Sequence, residues 1–211
     1  MNYQAVIFDL DGVICSTDRF HYEAWKALAD QLHIYFDEEI NHRLRGVSRL
    51  DSLDIVLERS EKVFSNEEKL RLAEDKNERY KKLLDQMTTA DLSEEVRDTL
   101  ETIKKRGYRI AIGSSSCNTK RILERIGLTH TFDAVSDGTN ITYSKPHPEV
   151  FLKAAQYLNL APEQCLVVED AAAGIEAARR GGFDVAGLGE AAAHEKTTYP
   201  LTQFAQLLTV L

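Results

Sequence analysis

The run Val6-Ile7-Phe8-Asp9-Leu10-Asp11-Gly12-Val13 constrains this chain more than any other stretch, because an apolar strand that must be buried ends on two acids spaced two apart. Side chains at i and i+2 of an extended segment point the same way, so Asp9 and Asp11 can face one ligand while Val6 and Phe8 sink into a core. Gly12 frees the chain to turn away. Two carboxylates this close repel, which favours a division of labour: one stays ionised on a cation and the other carries a proton. A strand ending in a solvated acidic turn would read the same in isolation. The rest of the chain decides between them.

Apolar runs at Ala5 to Asp9, Arg109 to Gly113, Cys165 to Val168 and Val185 to Leu188, with Ala134 to Ser136 as a weaker fifth, alternate with helical patterns. That alternation predicts an α/β fold, a Rossmann-like parallel sheet flanked by helices. Asn118 is expected to cap a helix that ends at Gly127, and Pro148 to open another through Phe151 and Leu158. Between the first two strands lies a stretch of different character. His21 to Gln31, Phe36 to Leu44, Asp51 to Arg59 and Asn66 to Leu84 are amphipathic and helical, with no convincing strand among them. They predict a helical-bundle cap over 16–92, inserted into a core made of 1–15 and 93–211, with hinges near Cys15 to Thr17 and Thr88 to Ser93. Beyond Gly189 no clear strand is visible, which leaves that sheet edge undefined.

A chain of 211 residues suits such a core with an insertion, and 43% hydrophobic with 28% charged residues is the balance of a soluble globular protein. The net charge of -8 disfavours nucleic acid as a partner and requires that any anionic substrate be met by local cations. No run is long enough to span a bilayer, and the start lacks the pattern of a signal peptide. Cys15, Cys117 and Cys165 are odd in number and far apart, so neither a disulfide framework nor a zinc site is expected. A cytoplasmic monomer, with no membrane or nucleic-acid partner, is the expectation.

Ligands of open parallel sheets bind outside the carboxyl ends of the strands. The residues found there are Asp9 and Asp11, then Ser114, Ser115 and Ser116, then Lys145 ahead of Pro146, then Glu169 and Asp170. Carboxylate oxygens suit Mg²⁺, and hydroxyls, loop N–H groups and a lysine suit the oxygens of a phosphate. Phosphoryl transfer needs mainly positioning and charge stabilisation, and an ionised Asp can attack phosphorus itself. Each group has an ordinary explanation alone: a polar turn, a solvated loop cation, an acidic cap on the following helix. Four such groups at four strand ends point to one site.

Those residues carry a resemblance. Phe8-Asp9-Leu10-Asp11-Gly12-Val13, Ser114, Lys145-Pro146 and Val168-Glu169-Asp170 resemble, in order, the four motifs of the haloacid dehalogenase superfamily. The resemblance implies that Asp9 is the nucleophile and a Mg²⁺ ligand. It implies that Asp11 is the general acid/base and offers its backbone carbonyl to the metal. Ser114 and Lys145 would hold the transferring phosphate, and Asp170, assisted by Glu169, would complete the metal site. Phe20 to Ala29, Leu44 to Arg49 with Asp51-Ser52-Leu53, and Lys76-Asn77 resemble the β-phosphoglucomutases within that superfamily. On that resemblance Arg49 takes the non-transferring phosphate, Gly46, Val47, Ser48 and Ser52 meet the sugar, and His21 with Lys76 couples cap closure to Asp11. Thr17, Trp25, Ser115, Ser116 and Asn118 complete the substrate-contacting set. Taken singly, Trp25 reads as core and Lys76 as part of a solvated helix face.

The implied reaction is Mg²⁺-dependent interconversion of β-glucose 1-phosphate and glucose 6-phosphate through an aspartyl phosphate and β-glucose 1,6-bisphosphate. A sugar-phosphate phosphatase would use the same core with water as acceptor. A non-catalytic phosphosugar-binding regulator is a third reading, opposed by intact Asp9, Asp11, Lys145 and Asp170. Two positions depart from the family pattern: Ser16, where many relatives carry Asp, and Cys117, at a position that is often basic.

Overall fold

The computed structural model describes residues 3–44 and 47–211, which form two compact units: Met1–Ser16 with Thr88–Leu211, and Thr17–Met87. The larger unit is built on six parallel strands, β1 (Ala5–Phe8), β2 (Arg109–Gly113), β3 (Ala134–Ser136), β4 (Cys165–Glu169), β5 (Asp184–Gly187) and β6 (Tyr199–Pro200). Their order in the sheet is β3-β2-β1-β4-β5-β6, so the chain steps outward in one direction from β1, then returns and steps outward in the other. The reversal falls between β1 and β4, where open α/β sheets place their ligands.

Phe8 pairs with Ile112 on one side and Val168 on the other, so Asp9 leaves the sheet level with Gly113 and Glu169. β1 is fully buried because helices cover both faces of a parallel sheet, and its unbroken apolar run reflects that. One face packs Ile7, Ala111, Val167 and Val185 against Phe151 and Phe183, each without exposed surface. Burying a Phe of this kind contributes about 1.5–3 kcal/mol.

In the smaller unit, α1 (Asp18–Gln31), α2 (Glu38–His42), α3 (Arg49–Leu57) and α4 (Asn66–Leu84) enclose a core that includes Trp25, Leu28, Phe36, Leu53 and Ala73. α4 begins where Ser65 and Glu68 satisfy each other's backbone N–H groups, and it buries Ala73, Lys76, Asn77, Tyr80 and Leu84, a stripe at helical spacing. A charged side chain, Lys76, and an amide, Asn77, therefore lie on that buried stripe.

The larger unit continues with α5 (Glu94–Lys105), α6 (Thr119–Arg125), α7 (Glu149–Tyr157), α8 (Ala172–Arg180) and α9 (Leu207–Val210). Asn118 precedes α6, but its side chain does not cap the helix. Its backbone (φ -104°, ψ 9°) lies outside the extended region usual for a capping residue, and the turn is held instead by Ser116 Oγ, which accepts from Asn118 N–H at 3.1 Å. Gly127 follows α6 with φ +78°, the helix-ending role the sequence predicts. The sheet edge left undefined by the sequence is β6, whose proline is tolerated because the strand is terminal. Among the described residues, no helix is long and apolar enough to cross a membrane.

Candidate active site

Asp9 directly follows β1 and donates its own N–H to the Val168 carbonyl at 2.9 Å, which ties the residue to β4. The Lys145 ammonium donates to Asp9 Oδ1 at 2.6 Å and also to Glu169 Oε1. Burial by itself would pull the lysine pKa down, but the Asp9 and Glu169 carboxylates outweigh it and hold the ammonium above its ordinary value. Lys145 is thus a fixed cation, as an anionic substrate on this acidic chain requires.

Ligand oxygens of Asp9, Glu169 and Asp170 lie within 4.8 Å of one another. Glu169 is oriented by its Oε2, which accepts the N–H groups of Asp170 at 2.9 Å and Ala171 at 3.0 Å. Burial, then the charges of Glu169, Asp9 and Asp11, push the Asp170 carboxyl up to about 8. Buried carboxylates crowded beyond what one lysine neutralises are the donor set of a hard divalent cation, and Mg²⁺ fits it. Asp11 does not belong to this triad, although its charge reaches Asp170. It sits in a tight loop in which the Gly12 N–H donates to the Cys15 carbonyl at 2.8 Å and the Cys15 N–H to the Leu10 carbonyl at 3.2 Å.

Two glycines make room for the acids. Gly12 turns the chain with φ +83°, and a Cβ there would stand 2.0 Å from Asp170 Oδ2. Gly174 lets α8 lie against Glu169, since a Cβ there would fall 1.8 Å from Oε1. Only the first has a local signal, the turn after the acid pair; the second depends on which strand α8 covers.

The loop after β2 supplies the hydroxyls. Ser114 is buried, donates its N–H to the Ser136 carbonyl at 3.1 Å, and accepts from Ser116 N–H at 3.2 Å through Oγ, a bond that leaves its own proton able to serve a second acceptor. Ser115 Oγ accepts the Lys145 N–H at 3.4 Å. Serines and lysine from distant sequence positions are therefore tied together at one strand edge.

The smaller unit holds a second polar cluster. Lys76 Nζ stands 2.9 Å from His21 Nδ1 and lies over the rings of Trp25 (4.5 Å) and Tyr80 (4.8 Å). His21 stacks on Tyr80 with centroids 4.1 Å apart, and Tyr80 donates to Thr17 Oγ1 at 2.9 Å. Burial first, then the cations Lys76 and Arg49, drive the imidazole pKa well below its ordinary value, so His21 is neutral and accepts at Nδ1. A solvated face is not what Lys76 occupies. Tyr80, one turn after Lys76, went unnoticed in the sequence because a tyrosine on a charged helix has no distinctive pattern.

Arg49 begins α3 and pairs with Glu74 at 3.2 Å. Ser48 caps that helix, and its hydroxyl donates to Asp51 Oδ2 at 2.6 Å. Ser52 and Trp25 are buried, and Val47 donates its N–H to Leu44 at 3.2 Å. Gly46 lies outside the described residues.

Residues 3–182 match the haloacid dehalogenase-like hydrolase family. The chain is similar to a β-phosphoglucomutase of Bacillus subtilis (40% identity over 189 residues, 89% of this chain and 84% of that protein). It is also similar to a phosphorylated carbohydrates phosphatase of Thermotoga maritima (32% identity, 86% of this chain and 82% of that protein). A crystal structure of a β-phosphoglucomutase from Clostridium difficile superimposes with a TM-score of 0.90 at 38% identity, covering 97% of this chain and 93% of that one.

Proposed function

The chain is an enzyme that belongs to the haloacid dehalogenase-like hydrolase family, and from that premise we propose that it interconverts β-glucose 1-phosphate and glucose 6-phosphate. The observation that carries the reading is the buried Lys145 ammonium bonded to both Asp9 and Glu169 beside the Asp170 carboxylate. It gives a nucleophile, a fixed countercharge and a cation site at one strand edge.

Asp9, Glu169 and Asp170 would hold Mg²⁺, which would offset charge on the transferring phosphoryl group. A carboxylate oxygen of Asp9 attacks phosphorus of β-glucose 1,6-bisphosphate, and the P–O bond to the sugar breaks as Asp11 gives its proton to the departing oxygen. Attack at the 1-phosphate leaves glucose 6-phosphate, which departs, and a β-glucose 1-phosphate takes its place and presents its 6-hydroxyl to the phosphoaspartate. Asp11 takes that proton, the sugar oxygen attacks phosphorus, and the bond to Asp9 breaks, which returns the carboxylate. Ser114 and Lys145 hold the phosphoryl oxygens throughout. Arg49, whose planar fork suits a phosphate dianion, would take the phosphate that does not react, with Ser52, His21 and Lys76 contributing from the same unit.

The similarity to the Thermotoga phosphatase keeps a second reading in view, in which water attacks the phosphoaspartate. The two part company at the acceptor. Enzyme phosphorylated on Asp9 with acetyl phosphate, then mixed with glucose 6-phosphate, transfers the label to β-glucose 1,6-bisphosphate if it is a mutase. Release of inorganic phosphate at the same rate with and without the sugar would establish the phosphatase.

A further inference from the structure

Lys145 lies in a stretch without helix or strand that runs from the end of β3 to α7. Its ammonium can stand between Asp9 and Glu169 only if that backbone holds its place, because the side chain is flexible. The tie at Lys145 itself is long, the 3.4 Å bond to Ser115 Oγ. Shorter ties lie just upstream. Glu149, at the start of α7, accepts the N–H groups of Thr142 at 2.9 Å and Tyr143 at 2.8 Å on one carboxylate oxygen, Oε2. Its Oε1 lies 3.0 Å from Lys153 Nζ, one turn on, and Lys153 also donates to the Asn140 carbonyl. An acid in a first helical turn is usually explained by the helix dipole. That explanation calls for no loop partners, and here α7 grips three backbone groups of the segment that carries Lys145.

We propose that Glu149, braced by Lys153, is a positioning residue that sets where the Lys145 ammonium stands relative to Asp9. The inference rests on the phosphate-holding role given to Lys145 above. The Tyr143 N–H, then Lys153, hold the Glu149 carboxyl down at about 2, so the clamp stays charged across the range in which the chemistry runs. Misplacement of a group by about 1 Å can cost about 100-fold in rate, which sets the scale of the effect.

The test is a double-mutant cycle read as the rate of Asp9 phosphorylation by acetyl phosphate with Mg²⁺, followed by intact mass. E149A is expected to lose about 10- to 100-fold. E149Q should lose less, because its carbonyl oxygen still accepts the two N–H groups. In a K145A background, E149A and E149Q should cause no further loss, since the ammonium they position is gone. Where E149A does not fold, E149Q alone closes the same cycle. Losses that multiply in the double variants, or E149A and E149Q both within twofold of the parent, would overturn the inference. K145A as fast as the parent would overturn the role given to Lys145, and this inference with it.

Discussion

Gly174→Ala sets two effects of opposite sign against each other. Gly174 sits inside α8, where alanine is favoured over glycine by about 1 kcal/mol on helix propensity alone. Its Cβ would fall 1.8 Å from Glu169 Oε1, and ordinary contact begins at 3.4 Å, so the carboxylate must retreat by about 1.6 Å. It cannot do so and keep its bonds to Lys145, Asp170 N–H and Ala171 N–H. Bonds to a charged group contribute about 1.5–3 kcal/mol each, so loss of two outweighs the helix gain and leaves a net destabilisation of about 2–5 kcal/mol. Urea unfolding gives that difference. Calorimetric titration with Mg²⁺ should show weakened binding, because Glu169 shares the cation site with Asp9 and Asp170. A variant about 1 kcal/mol more stable than the parent, with unchanged Mg²⁺ affinity, would refute the reasoning.

Asp9→Asn should fold, bind Mg²⁺ more weakly and form no phosphoenzyme detectable by mass, because an amide offers no anionic nucleophile. Asp11→Asn should slow transfer to sugar by about 100-fold or more while leaving substrate binding near the parent value, as judged by rapid-quench rates and equilibrium titration. Arg49→Ala should spare phosphorylation by acetyl phosphate and impair turnover of glucose phosphates, with lysine only a partial substitute; equal loss of both reactions would remove its selective role. The depressed pKa of His21 gives the sign of a pH effect. The unfolded chain takes up a proton near the ordinary histidine pKa and the folded one does not, so stability is lost as pH falls below that value. Lys76→Met removes one of the cations that depress His21, so its imidazole should titrate at higher pH by NMR and the acid loss of stability should shrink.

Much of this was legible in the sequence because the informative features are local. The apolar run into Asp9 and the Glu169-Asp170 pair each mark a strand end, and a parallel sheet brings strand ends together. The Lys145-Pro146 pair is not at a strand end: it lies in the segment between β3 and α7, which carries the ammonium back to Asp9. The limits of α4 follow from its amphipathic spacing. What the sequence hid depends on contacts across the fold. Gly174 matters only because α8 lies on Glu169, and Lys76 is buried because two aromatic rings and His21 receive it. β6 is two residues long, too short to show a period. Asn118 has a capping side chain, yet the serines of the preceding turn take over the local hydrogen bonding.

The most direct measurement is product analysis by ³¹P NMR of the enzyme with β-glucose 1-phosphate, Mg²⁺ and a trace of β-glucose 1,6-bisphosphate. The account predicts accumulation of glucose 6-phosphate, dependence on the bisphosphate primer and loss of both with Asp9→Asn. Free glucose and inorganic phosphate in equal amounts, with little glucose 6-phosphate, would contradict it.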